Sequence, residues 1–395
     1  MKGILFVDDE VKVLEGLERM LHTMRREWEM SFAEGGPAAL ETLSKRHFDV
    51  VVTDMRMPGM DGAQLLDEIR RLHPDTVRIV LSGHSDRALI MKSVGTAHQF
   101  ISKPCEPQVI KETVRRACAL RDLLAQPKLQ LLVSQMESLP SPPTLFVELM
   151  KEIDSAGAGI RRISEIVSQD PGMTAKILQM VNSAFFGLRR HISTPGEAVN
   201  LLGLDIVRAM ALSVKIFSAF DYARVPGFPT EKIWSRCLAV GTLAKAIARS
   251  EHVNAQIADQ AFTAGLLHDT GSLVLAATLP QQFSEMLLLA QTEKISQIEA
   301  EQKVFGAVHP EVGGYLLGLW GLPDAIVEAV AFHHSPGLCS TVPFNALTGV
   351  HVADFLTPTA VAVTPSPLDT EYLTNLGVMN HIQAWEDLSG RQPAE

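Results

Sequence analysis

The 395-residue chain is long enough for two or three domains with a sizeable core. With 46% apolar and 20% charged residues it has an ordinary soluble balance, and a net charge of −10 argues against non-specific binding to nucleic acid or to an anionic membrane. The apolar runs stay shorter than the roughly 18 residues of a membrane span, and "MKGILFVDDE" is too short for a signal-peptide core. The four cysteines (Cys105, Cys118, Cys237, Cys339) lie far apart without a CxxC pair, as reduced thiols do. The expectation is a cytoplasmic protein with no membrane contact. No helix-turn-helix with a basic recognition helix is found, so DNA is not expected as a partner.

In chain order, "ILFV" at 4–7, "EMSFAE" at 29–34, "DVVVTD" at 49–54, "VRIVLS" at 77–82 and "HQFIS" at 98–102 are strand-like. Between them "VKVLEGLERMLHTM", "PAALETLSKR", "GAQLLDEIRRL" and "RALIMKSVG" repeat apolar residues at helical spacing. This alternation predicts an α/β domain over 1–122, a doubly wound five-stranded parallel sheet with its ligand site at the carboxyl ends of the strands. The helix through "VIKETVRRACALRDLLA" leads into a helical linker over 123–140, which Pro127 interrupts and Pro140, Pro142 and Pro143 close. From residue 129 onward helical periodicity dominates, with starts marked at Asp170-Pro171, Thr194-Pro195, Leu279-Pro280 and Leu322-Pro323. An all-α domain over 141–356 is predicted. The remainder, 357–395, is a Pro/Thr-rich loop and a final helical piece near 370–388 that packs back onto it.

The first domain gathers chemistry at its strand ends. Asp8 and Asp9 end the first strand, Asp54 the third, Ser82 the fourth, and Lys103 the fifth. Three converging carboxylates repel one another unless a cation joins them, and Mg²⁺ is the natural guest. Lys103 can hold a transferred phosphoryl group and Ser82 offers a hydroxyl to its oxygens, so positioning and charge neutralisation are both provided. A flavodoxin-like domain with incidental surface acids is the bland alternative.

The ordered set "VDDE", "VVTDMRMPGMDG", "LSG" and "KP" resembles the receiver domain of response regulators. The resemblance implies that Asp54 is the phosphoacceptor. It implies that Asp8, Asp9 and Asp54 bind Mg²⁺ with the carbonyl of Arg56, and that Ser82 and Phe100 are the switch pair. The Lys103-Pro104 bond is a candidate for the cis form.

The second domain carries "GLLHDTGSLVL" with His268 and Asp269, then His309 in "VHPEVGGYLLGLW", His333 and His334 in "AFHHSP", and Asp354 three residues after His351. Imidazole and carboxylate are usual ligands of Fe, Mn or Zn, although a lone histidine on an apolar helix is more often a core residue. Small residues in "GLLHDTGS" and "EVGGYLLG" predict close helix packing. Together with "IVSQDPGMTAKILQMVNSAFFG" and "AVNLLGLDIVRAMAL", these stretches resemble the HD superfamily, and more closely its HDOD branch, over roughly 135–340.

The chain departs from an active HD site. With Val240-Gly241 aligned to the usual "VA", Arg236 falls where the first ligand histidine belongs; a one-residue slip gives Ser235 or Cys237. No histidine occurs between 192 and 251. The lysine after the glycine of the His-Asp motif is missing, and "HHSPGLCST" replaces a "GYP" element. An arginine about 5 Å from a divalent ion repels it by roughly 6–7 kcal/mol at an effective dielectric of 20. The expectation is an Arg236–Asp269 ion pair in place of a transition metal. The chain then reads as a response regulator, phosphorylated at Asp54 by a sensor histidine kinase. Its output domain is non-catalytic and acts through a downstream protein partner or through homodimerisation. The alternatives are a phosphorylation-regulated metallophosphohydrolase acting on a cyclic dinucleotide, and a nucleotide-sensing degenerate HD domain.

Overall fold

The structure is a computed structural model, and it describes all residues except 83–95, 125, 135, 137–139, 142, 154–158, 183–190, 204–206, 208–217, 220–229, 340–342, 359–366 and 391–395. The chain divides into two compact units, the first built chiefly from Met1–Glu137 and the second from most of the chain after Ser138. Among the described residues no single helix is long and apolar enough to cross a membrane.

The first unit holds five parallel strands, β1 (Lys2–Asp8), β2 (Trp28–Glu34), β3 (Val50–Asp54), β4 (Val77–Ser82) and β5 (Gln99–Ser102), in the order β2-β1-β3-β4-β5. Residues 3–8 of β1 and all of β3 and β4 are buried, the near-continuous apolar pattern of strands covered on both faces. The order reverses between β1 and β3, so the carboxyl ends of these strands open a crevice at the switch point. Helices α1 (Val11–Met20), α2 (Gly35–Lys45) and α3 (Gly62–Leu72) follow the first three strands. The helix expected at "RALIMKSVG" falls almost wholly outside the described residues.

Helix α1 is shorter than its periodicity predicts. After Met20 the chain tightens into a 3₁₀ turn, His22–Arg26, in which Met24 N–H donates to the Leu21 carbonyl (2.8 Å). That turn buries Leu21 and Met24 ahead of β2. Helix α3 starts at once after the Asp54 loop because Asp61 and Gln64 form a reciprocal cap, with bonds of 2.8 and 3.0 Å. Gly62 is required there: a Cβ would stand 2.3 Å from the Asp54 carbonyl oxygen. Beyond β5, α4 (Pro107–Leu123) ends before the proline expected to interrupt it, and α5 (Pro127–Ser134) begins at that proline.

Among the described residues the second unit's regular structure is helical apart from one pair of two-residue parallel strands, Pro140–Ser141 and Ser218–Ala219. The sequence pattern shows no such pair; proline-rich segments favour extended backbone, and two residues carry no periodicity. Two of the four marked helix starts carry a side-chain cap, while those at Leu279-Pro280 and Leu322-Pro323 carry none. Thr194 Oγ1 accepts from Glu197 N–H (3.3 Å), and Asp170 Oδ1 accepts from Gly172 and Met173 N–H (2.8 and 3.2 Å). Glycines permit close helix crossings. Gly241 of the Thr230–Ser250 helix meets Gly265 of the Ala255–Leu267 helix, and Gly271 of the Thr270–Thr278 helix meets Gly313 of the His309–Leu319 helix. The C-terminal Ile382–Ser389 helix packs onto this unit through fully buried Trp385, whose Nε1–H donates to Glu251 (3.2 Å).

Candidate functional site

The strand ends of the first unit bring Asp8, Asp54 and Lys103 into contact. Lys103 Nζ donates to Asp8 Oδ2 (2.9 Å) and to Asp54 Oδ1. Asp54 Oδ2 accepts from Arg56 N–H (2.7 Å), and Asp8 Oδ1 from Glu10 N–H (3.0 Å). Asp9 is the next residue and is half-buried. Lys103 N–H donates to the Ser82 carbonyl (2.7 Å), and the Lys103-Pro104 peptide is cis. Ser82 Oγ is buried with no hydrogen-bond partner among the described residues, and Phe100 packs half-buried on the core.

The electrostatics of this pocket call for a cation. Burial pushes the Asp54 carboxyl up, Lys103 pulls it down, Asp8 adds to the rise, and the balance is upward. Burial opposes the charge on Lys103, but its bonds to Asp54 and Asp8 outweigh this and raise it. One ammonium is thus shared by two carboxylates, an arrangement that fits Mg²⁺ with its preference for carboxylate, carbonyl and water oxygens.

In the second unit four helices converge on Arg236. Its side chain is only 10% exposed. Nη1 donates to Asp269 Oδ2 (3.0 Å) and Nη2 to Asp354 Oδ1 (2.7 Å). The same guanidinium caps the end of the Ala346–Leu356 helix, donating to the carbonyls of Asp354 (3.2 Å), Thr357 (3.5 Å) and Pro358 (3.1 Å). Burial alone would raise the carboxyls of Asp269 and Asp354. The His268–Arg236 pair beside Asp269, and Arg236 beside Asp354, hold both well below the usual carboxylate range.

The histidines surround this ion pair. His268 Nδ1–H donates to the Gly265 carbonyl (2.7 Å) and His333 Nδ1–H to the Val330 carbonyl (2.8 Å), which turns both Nε2 atoms inward. Burial opposes protonation of His268, but Asp269 and Asp354 outweigh it and hold the imidazole well above its ordinary value. Arg236 Nη1 also lies 2.7 Å from His268 Nε2, which stands 3.1 Å from Asp269 Oδ2 and 3.2 Å from Asp354 Oδ1. Burial and the neighbouring His334 push His333 well down, and burial, helped by His309 and His268, pushes His334 down to about 3 against the pull of Asp354. His333 Nε2 is buried with no partner among the described residues.

His309 behaves differently. Its Nδ1–H donates to Glu301 (2.8 Å), and Nε2 lies 3.2 Å from Asp269 Oδ1 without a hydrogen-bonding angle. Burial opposes its charged form, but Glu301 and Asp269 outweigh that and raise it. Glu301 is fully buried, also accepts from His309 N–H (2.7 Å), and is held by Gln297, which reaches on to Ser272. A carboxylate behind an inward-facing imidazole is the usual partner of a ligand histidine. Sequence reasoning missed Glu301, one of two glutamates in "QIEAEQKVF" with nothing to single it out.

Cys237, one of the register alternatives, lies with its thiol within 4.8 Å of His268 and Asp269 ligand atoms. His351 serves elsewhere: Nδ1–H donates to the His333 carbonyl (2.7 Å) and Nε2 accepts from Asp369 N–H (3.0 Å), tying the C-terminal segment to this face. Surviving imidazoles and carboxylates would suit a transition metal by type. His309, His333 and His334 bring three ligand atoms within 4.8 Å of one another, as do His268, His333 and Asp354, while the guanidinium spans Asp269 and Asp354 and engages His268.

Comparison with known proteins agrees with both halves. Residues 139–336 match the HDOD domain, and residues 4–115 the response regulator receiver domain. An uncharacterised protein of Treponema pallidum is 27% identical over 237 residues, 55% of this chain and 43% of its own. The hydrogenase transcriptional regulatory protein HoxA of Cupriavidus necator is 34% identical over 122 residues, 30% of this chain and 25% of its own. The chain spans less than half the length of these curated relatives. A virulence factor from Campylobacter jejuni matches over 69% of this chain and all of its own, with a TM-score of 0.52 and 21% identity, a likeness of fold. The MmoQ response regulator of Methylococcus capsulatus is 25% identical over 62% of this chain and 96% of its own, with a TM-score of 0.47. The chain therefore belongs to the HDOD family and carries a response regulator receiver domain ahead of its HDOD domain.

Proposed function

We propose that phosphorylation of Asp54 by a sensor histidine kinase controls a non-catalytic HDOD domain that acts through protein contacts, by recruiting a partner or by homodimerisation. The receiver is taken as residues 1–122, the linker as 123–140, the HDOD domain as 141–356 and the extension as 357–395. In the receiver an Asp54 carboxylate oxygen attacks the phosphorus of a phosphohistidine; the P–N bond breaks as the P–O bond forms. Lys103 Nζ and Ser82 Oγ then hold the phosphoryl oxygens, and closure of Ser82 draws Phe100 inward. Asp8, Asp9, Asp54 and the Arg56 carbonyl would hold Mg²⁺, which when bound offsets the charge of the carboxylates and the phosphoryl group.

The observation that carries the non-catalytic reading is the Arg236 guanidinium bonded to both Asp269 and Asp354. It supplies the positive charge that buried carboxylates need. The reading thus includes no transition metal in the HDOD domain.

Beryllofluoride with Mg²⁺ is expected to change the oligomeric state or domain arrangement of the full chain, measured by light scattering and small-angle X-ray scattering. Asp54→Ala should abolish that response. An equal response in the mutant would remove Asp54 from its role as the switch.

A further inference from the structure

A buried joint fastens the linker to the first unit at the end of the sheet away from Asp54. Arg78 lies near the start of β4, and His98 immediately precedes β5; their side chains are almost fully buried. Arg78 N–H donates to His98 Nδ1 (3.1 Å), so Nδ1 carries the lone pair and Nε2 the proton. His98 Nε2 and Arg78 Nη2 lie 2.9 Å from each other and each 2.9 Å from one acceptor, the Ser134 carbonyl. Ser134 Oγ in turn donates to the Pro74 carbonyl (2.8 Å). The rest of the guanidinium is fixed by the carbonyls of Thr96 (2.7 Å), Pro74 (3.1 Å) and Thr76 (3.2 Å).

Ser134 is the last residue of α5, and the second unit begins at Ser138. Leu129 and Val133 of the same helix are buried. The linker is therefore gripped by its final turn rather than running free from α4. The strands that grip it also reach the phosphoacceptor pocket. From Arg78 to Ser82, β4 covers about 13 Å at roughly 3.3 Å per residue. The ladder from Ile79–Gln99 to Ser82–Ser102, continued by the bond from His98 N–H to the Arg78 carbonyl (2.8 Å), couples β4 to β5 along that length.

We propose that Arg78 and His98 form a clamp through which β4 and β5 pass the state of the Asp54 pocket to the linker at Ser134. A displacement of Ser82 and Phe100 at one end tilts the paired strands, and a buried two-donor grip at the other end transmits the tilt without slack. The proposal rests on the reading of Asp54 as the switch.

Hydrogen exchange of the full chain, with and without beryllofluoride and Mg²⁺, tests it. In the wild type the amides of residues 129–134 should change their exchange together with those of the HDOD domain. Arg78→Lys keeps the charge but loses the fork. It should leave phosphorylation of Asp54 by acetyl phosphate near the wild-type rate and reduce the HDOD response roughly tenfold, within the range that lost coupling contacts give. A wild-type response in the HDOD domain with no change at 129–134 overturns the clamp alone, whether or not the variant folds. So does a full HDOD response in a folded Arg78→Lys protein. No wild-type response anywhere overturns the reading of Asp54, and the clamp with it.

Discussion

Arg236→Ala is expected to destabilise the HDOD domain by about 3–5 kcal/mol, the usual result of removing one partner from a buried ion pair. The size follows from what remains. Asp269 and Asp354 are buried carboxylates whose charged forms depend on the adjacent guanidinium, and three carbonyls at the end of the Ala346–Leu356 helix lose their donor as well. The same variant should acquire a property the wild type lacks. With the guanidinium gone, His268 Nε2, Asp269 and Asp354 face a vacant centre beside His333 and His334, and Zn²⁺ or Co²⁺ can supply the missing charge. Saturating metal should then raise the variant's melting temperature, by about 2.7 kcal/mol of stabilisation at a hundredfold excess over the dissociation constant. The wild type should not respond. A chemical denaturation midpoint for Arg236→Ala equal to wild type would show that the guanidinium does not carry this charge.

Gly271→Ala is expected to cost at least about 3 kcal/mol, at the upper end of overpacking effects, because the obstacle is backbone. A Cβ at Gly271 would stand 1.9 Å from the His309 carbonyl oxygen and 2.9 Å from Gly313 N. Neither can rotate away as a side-chain tip would, so the His309–Leu319 helix must move. That movement takes His309 from Glu301, a contact of 2.8 Å. The measurement is paired: a urea midpoint for stability, and the imidazole N–H proton resonance of His309, which should broaden or disappear. A variant within about 1 kcal/mol of wild type that keeps this resonance would show that the two helices do not approach so closely.

The first domain was legible because each feature was local. Short apolar runs bounded by Asp, Gly and Pro place β1 to β5 to within a few residues, and their alternation with helices dictates a parallel sheet. Asp8, Asp54 and Lys103 fall at strand ends, and parallel topology brings such ends together whatever the intervening loops do. In the second domain, aligning Val240-Gly241 singles out Arg236, and Arg236 is the residue that lies between Asp269 and Asp354. Its capping of carbonyls at 354, 357 and 358 was invisible, since backbone acceptors leave no mark in a sequence. Glu301 was hidden for a related reason: burial distinguishes it from Glu299, which is exposed in a capping box of the same helix. Pro127 signals the break between α4 and α5, but the grip on Ser134 joins residues 36 and 56 positions apart, beyond any periodic pattern.

The most direct test of a receiver-controlled, non-catalytic HDOD domain is elemental analysis of the purified full-length protein, combined with a cyclic-dinucleotide hydrolysis assay with and without beryllofluoride. The account predicts Fe, Mn and Zn far below one per chain and turnover at background in both states. Stoichiometric metal, with measurable hydrolysis lost in Asp269→Ala, would contradict it.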